Sequence, residues 1–189
     1  MKINLGKKEI IHFIGIGGIG MSGLALIMKQ LGFKIQGSDK SDNKNLNLLR
    51  KRKIPIYLNH NKQNIKNCTV LVVSSAIKKS NPEYRHAKKL NLPIYKRGEL
   101  LGHIVSLMKN IVVTGSHGKT TTTSILSNIM NYAKLDPTII NGGVLNSIGS
   151  SAKLGKSDWS LVESDESDGS FLQIPVNYTI ITNIDNEHL

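Results

Sequence analysis

Cysteine occurs once in the 189 residues, as Cys68, and a single thiol excludes an internal disulfide framework. Aromatic side chains are scarce as well, at 5% of the chain, too few to build a stacking platform for bases. Acidic residues number 13 against 25 lysines and arginines, a formal net charge of +12. Only Arg50, Arg52, Arg85 and Arg97 among those cations are arginine, and the lysines are scattered instead of clustered. The pattern reads as a solvated, Lys-rich surface with no nucleic-acid partner, for which a general attraction to anionic nucleotides is a by-product. No apolar run approaches the roughly 18 residues needed to cross a bilayer, so no membrane partner is expected. Met1–Glu9 lacks the apolar core of a secretory signal, and a cytoplasmic location is expected. What the chain does have is 39% hydrophobic content and 17 glycines, enough for one or two small α/β units.

The most informative glycines lie in Val112-Val113-Thr114-Gly115-Ser116-His117-Gly118-Lys119-Thr120-Thr121-Thr122-Thr123, where an apolar run breaks and a helix-compatible stretch follows. This is a phosphate-binding loop. Backbone N–H groups at a helix N-terminus point at an anion, the helix dipole adds positive potential, and Lys119 supplies a mobile charge for the outer phosphates. The Thr120 hydroxyl is placed to reach Mg²⁺. The spacing is shorter than G-x-x-x-x-G-K-[ST], because Val113 stands five residues before Gly118.

A second glycine group comes earlier. Ile10–Ile14 is a short apolar run, followed by Gly15-Ile16-Gly17-Gly18-Ile19-Gly20 and then by Met21–Leu31, apolar at helical spacing. Strand, glycine turn and helix are the reading. A further strand over Phe33–Gly37 ends at Ser38-Asp39, nineteen residues after Gly20. G-x-G-x-x-G with a downstream acid describes a site for a diphosphate and a ribose. NAD and a UDP-sugar both present those groups, so the pattern alone does not choose between them.

The alternation continues through a helix near Leu46–Arg52, strands at Ile54–Tyr57 and Val70–Val73, a helix that opens at Ser80-Asn81-Pro82-Glu83, a strand at Leu92–Tyr95 and a helix over Arg97–Met108. Ser80 reads as the helix cap, with Glu83 three residues later. A linker near Met108-Lys109-Asn110 hands over to a second unit with strands at Asn110–Thr114, Pro137–Ile140, Asp158–Val162 and Tyr178–Thr182 and a helix over Lys119–Ala133. Asn141-Gly142-Gly143 reads as a turn. Repeated strand–helix alternation implies a mostly parallel sheet whose ligands gather at the carboxyl ends of the strands. Asp39, Ser74 and Ser75 fall at such ends. So does Glu163-Ser164-Asp165-Glu166-Ser167-Asp168, with four carboxylates in six residues. After a buried strand and beside a phosphate loop, this acidic stretch reads as the Mg²⁺ side of the site.

Seven blocks in series resemble the Mur ligase family, the ATP-dependent enzymes of peptidoglycan precursor synthesis: His12–Gly23, Gly37-Ser38-Asp39, Val73–Ile77, Asn81-Pro82-Glu83, Thr114–Thr123, Glu163–Leu172 and Thr182–Leu189. One departure is Leu58-Asn59-His60, where the family usually has glycine before the histidine. The resemblance implies an α/β protein with a Rossmann-like, parallel-sheet amino-terminal domain over residues 1–108. A truncated P-loop α/β central domain follows over 109–189, and a missing carboxyl-terminal domain is expected in the complete protein. UDP-N-acetylmuramate and L-alanine are the implied substrates, with ATP and Mg²⁺ as cofactors.

By the same resemblance the UDP-sugar site takes Gly15, Gly17, Gly18, Gly20, Met21, Ser22, Asp39, Ser74 and Ser75, and the ATP site takes Gly115, Ser116, His117, Gly118, Lys119, Thr120 and Thr121. Lys119, Glu163 and His188 are the implied catalytic residues, and Thr120, Glu163 and His188 the implied metal ligands. Three alternatives stay open. A murein tripeptide-recycling ligase of the same family has a similar phosphate loop. An NAD(P)-binding oxidoreductase leaves Gly118-Lys119-Thr120 and the acidic stretch without a task, and a phosphate-loop switch protein leaves Gly15–Gly20 unexplained. The 189 residues alone are not expected to complete the ligase reaction, nor the second unit to cover its apolar face.

Overall fold

A computed structural model describes residues 5–145, 150–164 and 174–185, and the chain divides into two compact units, Met1–Leu100 and Leu101–Leu189. In the first, strands β1 (Ile10–Ile14), β2 (Lys34–Asp39), β3 (Ile56–Leu58), β4 (Val70–Val73) and β5 (Ile94–Lys96) form one sheet in the order β3-β2-β1-β4-β5. Every pairing is parallel. Helices α1 (Ile19–Gln30), α2 (Lys44–Lys51) and α3 (Pro82–Lys89) alternate with the strands, a short 3₁₀ turn covers Lys62–Ile65, and α4 (Arg97–Ser106) runs across the boundary between the units. The order reverses between β1 and β4, which opens a crevice at the carboxyl ends of the strands. This is the Rossmann-like arrangement that the alternation predicts.

The central strands are continuous apolar runs because they are covered on both faces. Ile11, Phe13 and Ile14 of β1 and Val70–Val73 of β4 are all buried. Helix α1 is buried without interruption from Met21 to Met28. Cys68 packs beside Ile14, Ile65 and Leu71, and burial, with the nearby Glu83 charge, pushes its thiol up to about 11. Such a thiol is unreactive.

Helix α3 starts one residue later than the sequence suggests. Asn81 and not Ser80 is the cap, and its side-chain oxygen accepts from the N–H groups of Glu83 and Tyr84, with Pro82 in the first turn. Pro at the first helical position is favourable there because its missing N–H would be unpartnered anyway. Glu83 is thereby released from a capping role and turns into the core, where it is fully buried.

In the second unit the order is β10-β6-β9-β7-β8, with β6 (Lys109–Thr114), β7 (Thr138–Leu145), β8 (Ser150–Lys153), β9 (Trp159–Glu163) and β10 (Tyr178–Ile181). Only β8 runs antiparallel, against β7. Asn141-Gly142-Gly143 is therefore strand and not the expected turn. The β7–β8 register shifts between Ile140 and Leu145, and glycines tolerate the irregular backbone that such a shift requires. Helix α5 (Lys119–Tyr132) packs against β6, β7 and β9. Its Ile125, Ile129 and Tyr132 are 56%, 58% and 94% exposed, so one apolar face has no cover among the described residues.

A close backbone approach registers β2 on β1. A Cβ built on Gly37 would lie 2.6 Å from the Phe13 carbonyl oxygen and 2.6 Å from Ile16 Cδ1. Gly37→Ala should destabilise the first unit by about 1–3 kcal/mol through overpacking, as measured by urea unfolding. Gly6→Ala, at a position with nothing within 4 Å, should leave the midpoint nearly unchanged.

Candidate functional site

The two units each carry a polar site at the carboxyl edge of their sheet. In the second unit β6 ends at Thr114 and α5 begins at Lys119, and the intervening turn needs glycine twice. Gly115 has φ +128° and Gly118 has φ +80°, values that a side chain disfavours. A Cβ on Gly115 would also collide with Thr182 Oγ1 and the Asn183 backbone. The segment after β10 clasps the turn: Asn183 Oδ1 accepts from the His117 N–H at 2.9 Å, the Thr182 hydroxyl donates to the His117 carbonyl at 2.5 Å, and Ser116 Oγ accepts from the Asp185 N–H at 3.3 Å. The opening N–H groups of α5 face the turn, as an anion site requires.

Lys119 folds back over this turn, with Nζ donating to the Gly115 carbonyl at 2.6 Å and to Ser116 at 3.3 Å. Thr120 Oγ1 lies 3.0 and 3.2 Å from the two Glu163 carboxylate oxygens. Glu163 ends β9, which pairs with β6, so sheet register brings it to the loop. A hydroxyl and a carboxylate side by side are the hard oxygen donors that Mg²⁺ takes when phosphates and water complete its shell. Among the described residues no three His, Cys, Asp or Glu side chains converge on a metal site. Thr120 and Glu163 together are donors of the kind that a phosphate-borne Mg²⁺ takes. His188 and the acids Asp165, Glu166 and Asp168 lie outside the described residues.

In the first unit a cleft of about 750 Å³ opens over the carboxyl ends of the strands, lined by Gly15, Gly17, Gly18, Asp39, His60 and Ser74 among others. Gly15 has φ +80°, and its N–H and that of Ile16 donate to the Ser38 carbonyl at 2.8 and 3.0 Å. Asp39 Oδ2 accepts from the Gly17 N–H at 2.8 Å, and Asn45 donates to the Gly17 carbonyl at 2.8 Å. A Cβ on Gly17 would meet Asn43 and Asp39 below 3 Å, and one on Gly20 would meet the Arg97 guanidinium at 2.9 Å. Met21 and Ser22 face the core instead, the latter with its hydroxyl on the Ile19 carbonyl. Ser75 is exposed beyond the cleft lining. Lys40 and Lys78 also line this cleft. Nothing in the sequence pattern singles them out from the other lysines.

Behind the cleft wall lies a buried polar cluster. Glu83 Oε2 accepts from the Ser38 hydroxyl at 2.6 Å and lies 3.4 Å from both His12 Nε2 and His60 Nδ1. Oε1 accepts from the Asn64 amide at 2.6 Å and the Asn61 N–H at 3.2 Å. Burial raises the Glu83 pKa, but His12, Ser38 and Asn64 together outweigh it and hold the carboxyl below its ordinary 4.5. A value depressed on folding stabilises the native state above the unfolded value, and that stability is lost as pH falls through the folded one. Urea unfolding should therefore show a lower midpoint at about pH 3 than at about pH 6, and Glu83→Gln should lessen the difference.

Residues 10–109 match the family described as Mur ligase family, catalytic domain. The UDP-N-acetylmuramate–L-alanine ligase of Pelagibacter ubique is 67% identical over all 189 residues, which span 41% of that protein. That of Brucella ovis is 47% identical, with 40% of its length covered. The chain thus spans about two fifths of the length of these relatives. Among solved structures, UDP-N-acetylmuramate-alanine ligase from Thermotoga maritima aligns at TM-score 0.88 and 33% identity, over 96% of this chain and 43% of that one. The UDP-N-acetylmuramate:L-alanyl-gamma-D-glutamyl-meso-diaminopimelate ligase of Neisseria meningitides aligns at 0.88 and 28%, over 95% and 62%. With the family match extending over more than half of its length, the chain belongs to the Mur ligase family.

Proposed function

We propose that this chain is the amino-terminal part of an ATP-dependent ligase that joins L-alanine to the lactyl carboxylate of UDP-N-acetylmuramate, in cytoplasmic peptidoglycan precursor synthesis. The observation that carries the reading is that one chain holds two separate polar sites, a glycine-lined cleft beside Asp39 and a glycine turn at a helix start whose Thr120 meets Glu163, and each has the donors that a nucleotide's phosphates require. An NAD(P)-dependent oxidoreductase has no use for the second site.

A carboxylate is a poor electrophile and needs activation. Its oxygen attacks the γ-phosphorus of ATP, ADP leaves, and an acyl phosphate forms. The alanine amine then attacks the acyl carbon, phosphate leaves from the tetrahedral intermediate, and the amine proton is lost. The protein's task is positioning and charge neutralisation. Gly115–Thr121 would cradle the ATP phosphates. Lys119, now on the loop carbonyls, would exchange those contacts for the γ-phosphate. Thr120 and Glu163 would hold Mg²⁺, joined on the family resemblance by His188, and the bound ion would neutralise phosphate charge. Gly15, Gly17 and Gly18 would take the diphosphate of the UDP-sugar.

Calorimetric titration tests the first site: UDP-N-acetylmuramate should bind and NAD should not, and the reverse would sink the assignment. In the complete protein Lys119→Ala should lower turnover by about 10²-fold or more, while ATP binding weakens far less, because charge moves onto the transferring group only in the transition state. Equal losses would make Lys119 a binding residue only.

The 189 residues alone should release no alanine-dependent phosphate, since aligning two reactants accounts for about 7–11 kcal/mol of barrier and the relatives carry more than half of their length beyond the matched part. In the complete protein, a murein tripeptide used in preference to L-alanine would favour the recycling ligase instead, whose fold is equally similar.

A further inference from the structure

The heavy-atom contacts around Glu83 determine where the protons of two histidines sit. Gln36 Nε2 lies 2.8 Å from the Asn64 carbonyl and 3.1 Å from His12 Nδ1. A carbonyl only accepts, so the amide nitrogen is correctly oriented, and its second N–H is aimed at His12 Nδ1. His12 therefore carries its proton on Nε2, toward Glu83. Ser38 has a single hydroxyl proton, and at 2.6 Å from Glu83 Oε2 that proton belongs to the carboxylate contact. Toward His60 Nδ1, 2.9 Å away, the Ser38 oxygen can only accept. Nδ1 of His60 is then the protonated nitrogen.

The other nitrogen of His60 is placed differently from its counterpart in His12. His12 Nε2 is buried without a second neighbour to bond, 3.4 Å from Glu83, whereas the His60 side chain, although only 5% exposed, lines the cleft. Along the sheet edge the glycine turn follows β1, Asp39 ends β2, and His60 comes two residues after β3. A nucleotide with its diphosphate on the glycines and its ribose near Asp39 extends its base toward His60.

We propose that Ser38 and Glu83 are positioning residues that hold His60 in the Nδ1–H tautomer, so that Nε2 faces the cleft as a hydrogen-bond acceptor and selects a base edge that offers an N–H. The imide N–H of uracil supplies that donor, and cytosine presents a lone pair at the same place. The ligand half of this assignment rests on the reading of the cleft as a UDP-sugar site, whereas the tautomer does not.

Two measurements on the 189-residue chain test it. Long-range ¹H–¹⁵N correlation of ¹⁵N-histidine-labelled protein, with His60→Gln to assign the signals, should show His60 protonated at Nδ1 and bare at Nε2. Ser38→Ala, small enough for the buried site, should move His60 toward a tautomer mixture with circular dichroism unchanged. Calorimetry with UDP, CDP and N3-methyl-UDP should show UDP binding about tenfold more tightly than either analogue, one hydrogen bond's worth. The preference should shrink to about twofold in Ser38→Ala and in His60→Ala. A proton on Nε2 of the wild type, or equal binding of UDP and N3-methyl-UDP, overturns the proposal. If none of the three nucleotides binds, the reading of the cleft fails and takes the ligand half with it, whatever the tautomer.

Discussion

A buried carboxylate must have donors on both oxygens or fold at a heavy cost, and Glu83 meets that requirement by drawing in three other parts of the first unit. His12 comes from β1, Ser38 from β2, and Asn61 and Asn64 from the segment after β3, while Glu83 itself opens α3. Among the described residues no lysine or arginine takes part. The charge is carried by hydroxyl, amide and imidazole donors, whose directions are fixed in a way that a flexible ammonium could not match. The wall of the cleft is consequently set by the same contacts that satisfy the core.

The second unit solves a similar problem with backbone. Its Gly115–Gly118 turn is held from the neighbouring edge strand, after which Thr182 and Asn183 bond the His117 carbonyl and N–H. Gly115 is the point at which the two segments touch, and only a residue without Cβ lets Thr182 approach. Loop shape therefore depends on the pairing of β10 with β6, which is parallel and places Ile181 beside Thr114. Residues 68 positions apart act as one turn.

The charge distribution separates the two sites. In the first, Asp39 lies against the Gly17 N–H and Lys40 and Lys78 stand at the cleft, a mixed field suited to a diphosphate joined to hydroxyl-bearing sugars. In the second, a lysine, a threonine hydroxyl and a glutamate gather within a few ångström of one helix start, the arrangement that a metal-bearing triphosphate needs.

Sequence alone determined the two glycine loops, the strand–helix alternation, the Rossmann-like class and the Lys119-Thr120 pair, because each is a local pattern: a periodicity, a glycine spacing or a residue at a helix start. Tertiary structure decided whatever depends on partners distant in the chain. It set the cap of α3 at Asn81 by turning Glu83 inward, carried strand β7 through Gly142 and Gly143 because β8 pairs beside it, and buried Met21 and Ser22 although they follow the glycine motif directly. It also brought Thr120 to Glu163 across 43 positions and His12 and His60 to one carboxylate. Local propensities carry no information about which buried donor a charge will find. That choice is made when the sheet closes and water is gone.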